Sequence, residues 1–259
     1  MPRRDHVVEL VEGEGTPLFL LPWTSGGIAF VREFGAEFHH GHPVFGFEAP
    51  GLWRDEDFLT SVDDMADLYL REIKAIQPHG PYLLGGLCGG SQVAYALAAR
   101  LAAAGDEVGP LTLVNAARGE LAAEPLLELE DLYELRLAAL RQQFAVTDLA
   151  ADLPYVLAAM RHLRWIDQEM PVEDFFWRQA LWAGGAYAHR RCRLPAYDGP
   201  VNVFVARSSA QDPEVRWHDL APRSTLNVLH AETSAQIMTH PVFLASIRCS
   251  GPPPEWWTR

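Results

Sequence analysis

Cysteine is scarce in this chain: three in 259 residues, at Cys88, Cys192 and Cys249. The number is odd and the spacing irregular, which excludes a disulfide framework and any spacing typical of a zinc site. No apolar run reaches the roughly 18 residues that a membrane-spanning helix needs. Basic residues are outnumbered, 21 against 34 acidic ones, for a net charge of −13. A nucleic-acid partner would need clustered Lys and Arg, so that class is excluded too. The start, "MPRRDHVVELVEGEG", carries basic residues with no apolar core behind them, which argues against a secretion signal and for a cytoplasmic protein. We see no internal repeat.

What is present is apolar material, 49% of the chain, enough for a sizeable core. It comes as short runs punctuated by Gly and Pro: "HVVELV", "PLFLLP", "PVFGF", "PYLLGG", "GPLTLVN", "GPVNVFVA" and "STLNVL". Helical patterns lie between several of them. "SVDDMADLYLREIKAIQ" opens on Ser61, a good N-cap, with acids in its first turn. "SQVAYALAARLAAAG" ends on Gly105, suited to the position just past a helix. Strands alternating with helices predict a mostly parallel sheet covered on both faces, the α/β class.

The stretch over 118–190 lacks strand-like runs. Within it "LLELEDLYELRLAALRQQF" reads as an amphipathic helix. At about 70 residues the stretch exceeds an ordinary crossover, so we read it as a helical lid inserted into a single domain spanning 1–259. Its Trp165, Phe175, Phe176, Trp177 and Trp182 serve either to line a cavity or to fasten the lid, and such spacing is more often packing.

The sharpest local signal is Gly86-Leu87-Cys88-Gly89-Gly90, which follows a strand and opens a helix. Such a turn is strained, needs small neighbours, and pushes its central side chain out above the sheet. There the thiol faces the positive end of the following helix, which lowers a thiol's pKa. Free cysteines also serve simply to fill space, but strand, glycines and helix together favour a nucleophile. An oxyanion hole beside it would take the N–H of Gly89 and a second donor from the loop after an early strand. "LLPWTSGG" supplies that loop, with Trp23 and Thr24 as the alternatives.

These residues carry a resemblance. The chain resembles the thioesterases of nonribosomal peptide and polyketide biosynthesis, which are α/β-hydrolases, over roughly Val11 to Ile247. The strongest block is "SVDDMADLYLREIKAIQPHGPYLLGGLCGGSQVAYALAARLAAAGDEVGPLTLVNAA". "PVFGFEAPGL" and "GPVNVFVARSSAQDPEVRWHDL" resemble an earlier and a later strand with their loops. Some members carry Cys at the elbow. Two positions depart from the family pattern. Its Asp at the end of the strand after the elbow helix is Asn115 here, in "LTLVNAA". Its His, in a segment like "G-x-H-x-x-M-L", corresponds to Ser234 in "ETSAQIM".

Other side chains are candidates for the missing roles. His230 lies four residues before Ser234, and a set of Cys88, His230 and Asn115 makes chemical sense because Asn can orient an imidazole. His230 as an ordinary strand-end residue is the competing reading. His240 follows the same segment, and Asp212 sits in a loop where stand-alone members of the family often place their acid. His39, His40 and His42 show no metal-ligand spacing, and we predict neither a metal nor a bound cofactor.

The resemblance implies a substrate acylated on phosphopantetheine, presented by an acyl or peptidyl carrier protein. The chain's acidity gives such a carrier no overall steering, so docking needs a local basic patch. A thiol needs a general base less than a hydroxyl does, whereas hydrolysis by water normally needs one. Retention of Cys88 with both usual partners replaced therefore points to acyl transfer to a thiol or amine. The alternatives are a thioesterase that hydrolyses or cyclises with a relocated His, and a non-catalytic binding protein that keeps the fold.

Overall fold

Each apolar run becomes a strand of one sheet. The computed structural model describes residues 6–28, 42–116, 118, 126–163, 166, 170–210 and 216–248. Its strands are β1 (Val7–Val11), β2 (Leu18–Leu21), β3 (Val44–Phe47), β4 (Leu83–Leu87), β5 (Leu111–Val114), β6 (Val201–Ala206) and β7 (Ser224–Leu229). They pair in the order β1-β3-β2-β4-β5-β6-β7. Only β1 is antiparallel, to β3; every other pairing is parallel. β2 and β5 are buried along their whole length, as expected of parallel strands covered on both faces.

Two helices cover one face. α1 (Val62–Ile76) starts where Ser61 Oγ accepts the Asp64 N–H at 3.3 Å. It buries Met65, Leu68, Tyr69 and Ile73. α2 (Gly90–Ala103) is almost wholly buried over its first two turns and ends at Gly105, φ +83°. The first core, built on Phe19, Phe47, Tyr69, Tyr95 and Trp217, lies under these helices. A second core, around Val44, Leu87, Phe204 and Phe243, lies on the other face. Two short helices close the described chain, α6 (Ser234–Met238) and α7 (Pro241–Arg248).

Between β5 and β6 the described residues form no strand. They give α3 (Leu129–Phe144), α4 (Leu153–His162) and α5 (Phe175–Arg191), packed on a core of their own around Leu140, Phe144, Val156 and Phe175. Arg136 lies 4.9 Å over the Trp182 ring. Trp177 donates to the Gly51 carbonyl at 2.6 Å and meets Phe58 edge-on at 5.4 Å. Phe175 is fully buried, whereas Phe176 is exposed. The aromatic residues here thus fasten helices to one another and to the β3–α1 loop; Trp165 lies outside the described residues.

The strand-to-helix turn after β4 is tight. A Cβ on Gly86 would overlap Ser91 Cα and the Gly90 carbonyl, and one on Gly90 would overlap the Pro22 carbonyl oxygen. Backbone thus touches backbone between the β2 loop and the start of α2. Gly90→Ala should therefore separate these segments and destabilise the fold by about 1–3 kcal/mol, the usual range for overpacking. Urea unfolding of the variant against wild type measures it.

Candidate active site

Cys88 occupies the turn at φ +49°, in the left-handed region. Its N–H donates to the Val114 carbonyl at 2.8 Å, which ties the turn to β5. Asn115, at the end of β5, is left-handed as well, φ +46°. Left-handed non-glycine residues cost of order 1 kcal/mol or more each and gather at functional sites. Here two stand side by side at the carboxyl ends of the central strands.

The residue Cys88 is exposed, yet atoms packed around the turn desolvate its sulfur. Burial pushes the thiol up from its ordinary value, against hydrogen bonds from the Gly89 N–H and the Thr24 hydroxyl that pull it down. This corrects the lowered thiol expected from the helix terminus. The terminus acts through the Gly89 N–H, but crowding outweighs it.

Asn115 and Ser234 find each other. Asn115 Nδ2 donates to Ser234 Oγ at 2.6 Å, while Asn115 Oδ1 is buried with no partner among the described residues. α6 has carried Ser234 to the end of β5, so the two positions that depart from the expected pattern are direct neighbours.

His230 is engaged elsewhere. Its Nε2 lies 2.6 Å from Arg207 Nη2. Arginine only donates, so this imidazole nitrogen accepts in that contact. Arg207, Ser208, His230, Glu232 and Gln236 line an open cleft at the ends of β6 and β7, and no hydrogen bond links His230 to Cys88. The structure therefore does not assemble Cys88, His230 and Asn115 into one hydrogen-bonded set. His240 Nδ1 accepts the Val242 N–H at 3.2 Å, capping its own helix. Asp212, His39 and His40 lie outside the described residues, and His42 Nδ1 donates to the Thr16 carbonyl at 2.8 Å. Among the described residues no cluster of His, Cys, Asp and Glu is arranged to hold a metal.

The imidazole beside the elbow is one that the strand-end reading missed: His189, in the last turn of α5. A Cβ on Gly89 would overlap its Nε2 and stand 2.5 Å from Thr24 Oγ1. One turn earlier, Gly185 meets Thr24 (a Cβ there would lie 3.0 Å from its Cγ2), and a Cβ on Gly184 would lie 2.5 Å from the Phe58 ring. The glycine pair lets α5 seat on the β2 loop, and the i, i+4 spacing puts His189 on the same face as Gly185. Burial lowers the His189 pKa to about 4, and its Nδ1 has no partner among the described residues. Trp23, Thr24, Leu181, Gly185 and His189 share a small cavity of about 20 Å³, room for one water. The signal in the sequence was "WAGGAYAH": two glycines inside a helix cost about 1 kcal/mol each relative to Ala, and a His follows one turn on.

A family model described as a thioesterase domain matches residues 16–221. The chain belongs to the thioesterase domain family. Curated relatives include an atromentin synthetase of Paxillus involutus, 34% identical over 112 residues, which cover 43% of this chain and 12% of that one. An orsellinic acid synthase of Emericella nidulans is 41% identical over 75 residues, 29% of this chain and 4% of that one. The chain thus spans a small part of the curated relatives it matches.

Solved thioesterase structures share the fold. A thioesterase domain from the nocardicin cluster, in covalent complex with a fluorophosphonate nocardicin G analogue, superposes with TM-score 0.68 at 20% identity, covering 94% of this chain and 96% of that one. The type II thioesterase of the yersiniabactin NRPS/PKS pathway gives 0.67 at 19% identity, covering 93% and 96%. A four-domain nonribosomal peptide synthetase gives 0.74 at 21% identity, over 94% of this chain and 20% of that one. This thioesterase therefore has the α/β-hydrolase architecture, and its family membership implies a hydrolase or acyl-transfer enzyme. No helix among the described residues is long and apolar enough to cross a membrane.

Because the Thr24 hydroxyl supports the thiolate, Thr24→Val should move the Cys88 titration further up and slow its alkylation by iodoacetamide at pH 7 by about tenfold, the worth of a hydrogen bond to a charged acceptor. In wild type the alkylation rate should still be climbing above the ordinary thiol range, since the desolvated thiol gives up its proton late. A rate-against-pH series on both proteins checks this.

Proposed function

We propose that this thioesterase-family enzyme moves acyl or aminoacyl groups between phosphopantetheinyl carriers, or from a carrier to an amine, through a Cys88 acyl-enzyme. The observation that carries the reading is the 2.6 Å hydrogen bond between Asn115 and Ser234. It fills the place beside Cys88 where the family resemblance expects an Asp-oriented imidazole. The comparisons support the setting: they include a non-reducing polyketide synthase and a nonribosomal peptide synthetase.

The steps follow from the groups present. The Cys88 thiol gives its proton to solvent and the sulfur attacks the carbonyl carbon of the carrier thioester. A carbon–sulfur bond forms and the carbonyl oxygen becomes an oxyanion facing Gly89 and the β2 loop. The intermediate collapses, breaking the bond to the pantetheine sulfur, which leaves as thiolate and takes up a proton. One thioester has replaced another, so the exchange is close to isoenergetic. Among the described residues, water then meets an acyl-enzyme with no effective base beside it. His230 is bound to Arg207, and His189 is held neutral with a pKa of about 4, too weak a base to activate water efficiently. A thiol or amine brings its own nucleophilicity, attacks the Cys88 thioester and regenerates the thiol.

Intact-mass spectrometry of the chain with a panel of acyl- and aminoacyl-loaded carrier domains tests this. The expected result is an adduct on Cys88 that outlasts the mixing time, disappears in Cys88→Ala, and passes to a second, unloaded holo-carrier. Rapid release of free acid that depends on His230 would overturn the reading in favour of a hydrolase. No adduct with any donor would leave a binding protein.

Rebuilding the missing pair provides a second check. Asn115→Asp with Ser234→His should speed hydrolysis of the adduct by about 10²–10⁴-fold, the range for a positioned general base, read as free acid by chromatography.

A further inference from the structure

An imidazole stands against Gly89, the residue that follows Cys88, yet among the described residues it has no carboxylate partner to orient it. The cavity it shares is walled by Pro22, Trp23, Thr24, Leu181 and Gly185 among others, and among the described residues the one titratable neighbour there is Tyr69. The Tyr69 hydroxyl donates to the Glu48 carbonyl at 3.2 Å, and burial pushes its phenol above the usual range. His189 therefore lacks the partner that would make it a base.

Its geometry suits a different task. The Nε2 edge packs on Gly89, and Thr24 Oγ1 approaches the same point. The Gly89 N–H and the Thr24 hydroxyl are also the two groups that hydrogen-bond the Cys88 sulfur. Three polar groups from three elements, the elbow, the β2 loop and α5, thus meet at Gly89, the residue next to Cys88. The tautomer follows from the other nitrogen. Nδ1 is buried with no partner among the described residues, and an orphaned lone pair is cheaper than an orphaned N–H. The proton belongs on Nε2, facing Gly89.

We propose that His189 is a catalytic residue that donates its Nε2–H, alongside the Gly89 N–H, to the oxyanion formed when Cys88 attacks a thioester. The inference rests on the reading of Cys88 as the acyl-accepting nucleophile. A neutral imidazole can stabilise developing negative charge by hydrogen bonding alone. The shifted pKa fits that role: burial keeps the ring uncharged at neutral pH, so it offers a donor without competing for the thiol's proton. The role also matches an enzyme whose acylated form loses its cargo to water slowly. Both acylation and deacylation pass through an oxyanion, but only attack by water further needs a base.

The full chain tests this in three forms: wild type, His189→Leu and His189→Gln. Leu fills the apolar cavity without a donor, while Gln can return an N–H near the Nε2 position. Two rates are read on each. One is Cys88 acylation by the loaded carrier domain that labels wild type fastest, with p-nitrophenyl acetate as a small donor. The other is alkylation by iodoacetamide, which displaces iodide at a saturated carbon and builds no oxyanion. Urea unfolding confirms that each variant is folded.

Acylation should fall by about 10²–10³-fold in His189→Leu, the range for losing one oxyanion donor. His189→Gln should recover at least about tenfold of that loss, and alkylation should be unchanged in both. Acylation unaffected by Leu, or no recovery with Gln, would overturn the proposal. So would alkylation falling in step with acylation, because His189 would then act on the sulfur. Failure of wild type to acylate with either donor would instead remove the nucleophile reading itself, and this inference with it.

Discussion

Backbone contact between the β2 loop and the first residue of α2 governs the site. At Gly90 the Pro22 carbonyl comes so close that no side chain fits. That contact brings Thr24 over Gly89 and holds Cys88 at the top of the sheet. Gly86 extends the same constraint downward, where β4 and α2 cross without room for a Cβ. With these segments locked, the turn has little freedom, and the left-handed backbone of Cys88 is held by its surroundings rather than by its own preference. α5 then docks on the resulting surface through Gly184 and Gly185, and His189 arrives with it.

The electrostatics follow from that crowding. Desolvation acts on the two titratable groups at the site in opposite directions, raising the thiol and lowering the imidazole. Each shift favours the uncharged form. A thiolate–imidazolium pair is thereby disfavoured in the resting enzyme, unlike in a cysteine hydrolase that stores its proton on a partner His. The field that remains is one of donors: the Gly89 N–H and the Thr24 hydroxyl toward sulfur.

Much of the scaffold was legible in the residues. Each apolar run became a strand: the central ones are continuously apolar because they are buried on both faces, while the edge strands β1 and β7 keep exposed positions. Ser61 and Gly105 marked helix ends through local chemistry that needs no tertiary partner. The elbow was legible too, since its glycines answer to steric limits that act within a few residues. Asn115 and Ser234 were seen as departures from the family pattern, but not as a bonded pair: 119 residues separate them.

The histidines mark the boundary. Reading along the chain favoured His230, which is near Ser234 in sequence, yet an Arg207 guanidinium one strand away holds it. His189 lay in a helical stretch whose glycine pair marked a close-packed face without saying which wall that face would meet. Sequence by itself determined the strands, the helix ends and the cysteine at the turn, because those depend on backbone sterics and on burial with short periods. Only the tertiary structure decided which imidazole stands beside the elbow and which proton state it holds. Both depend on how a distant helix packs, and a desolvation energy exists only once the packing does.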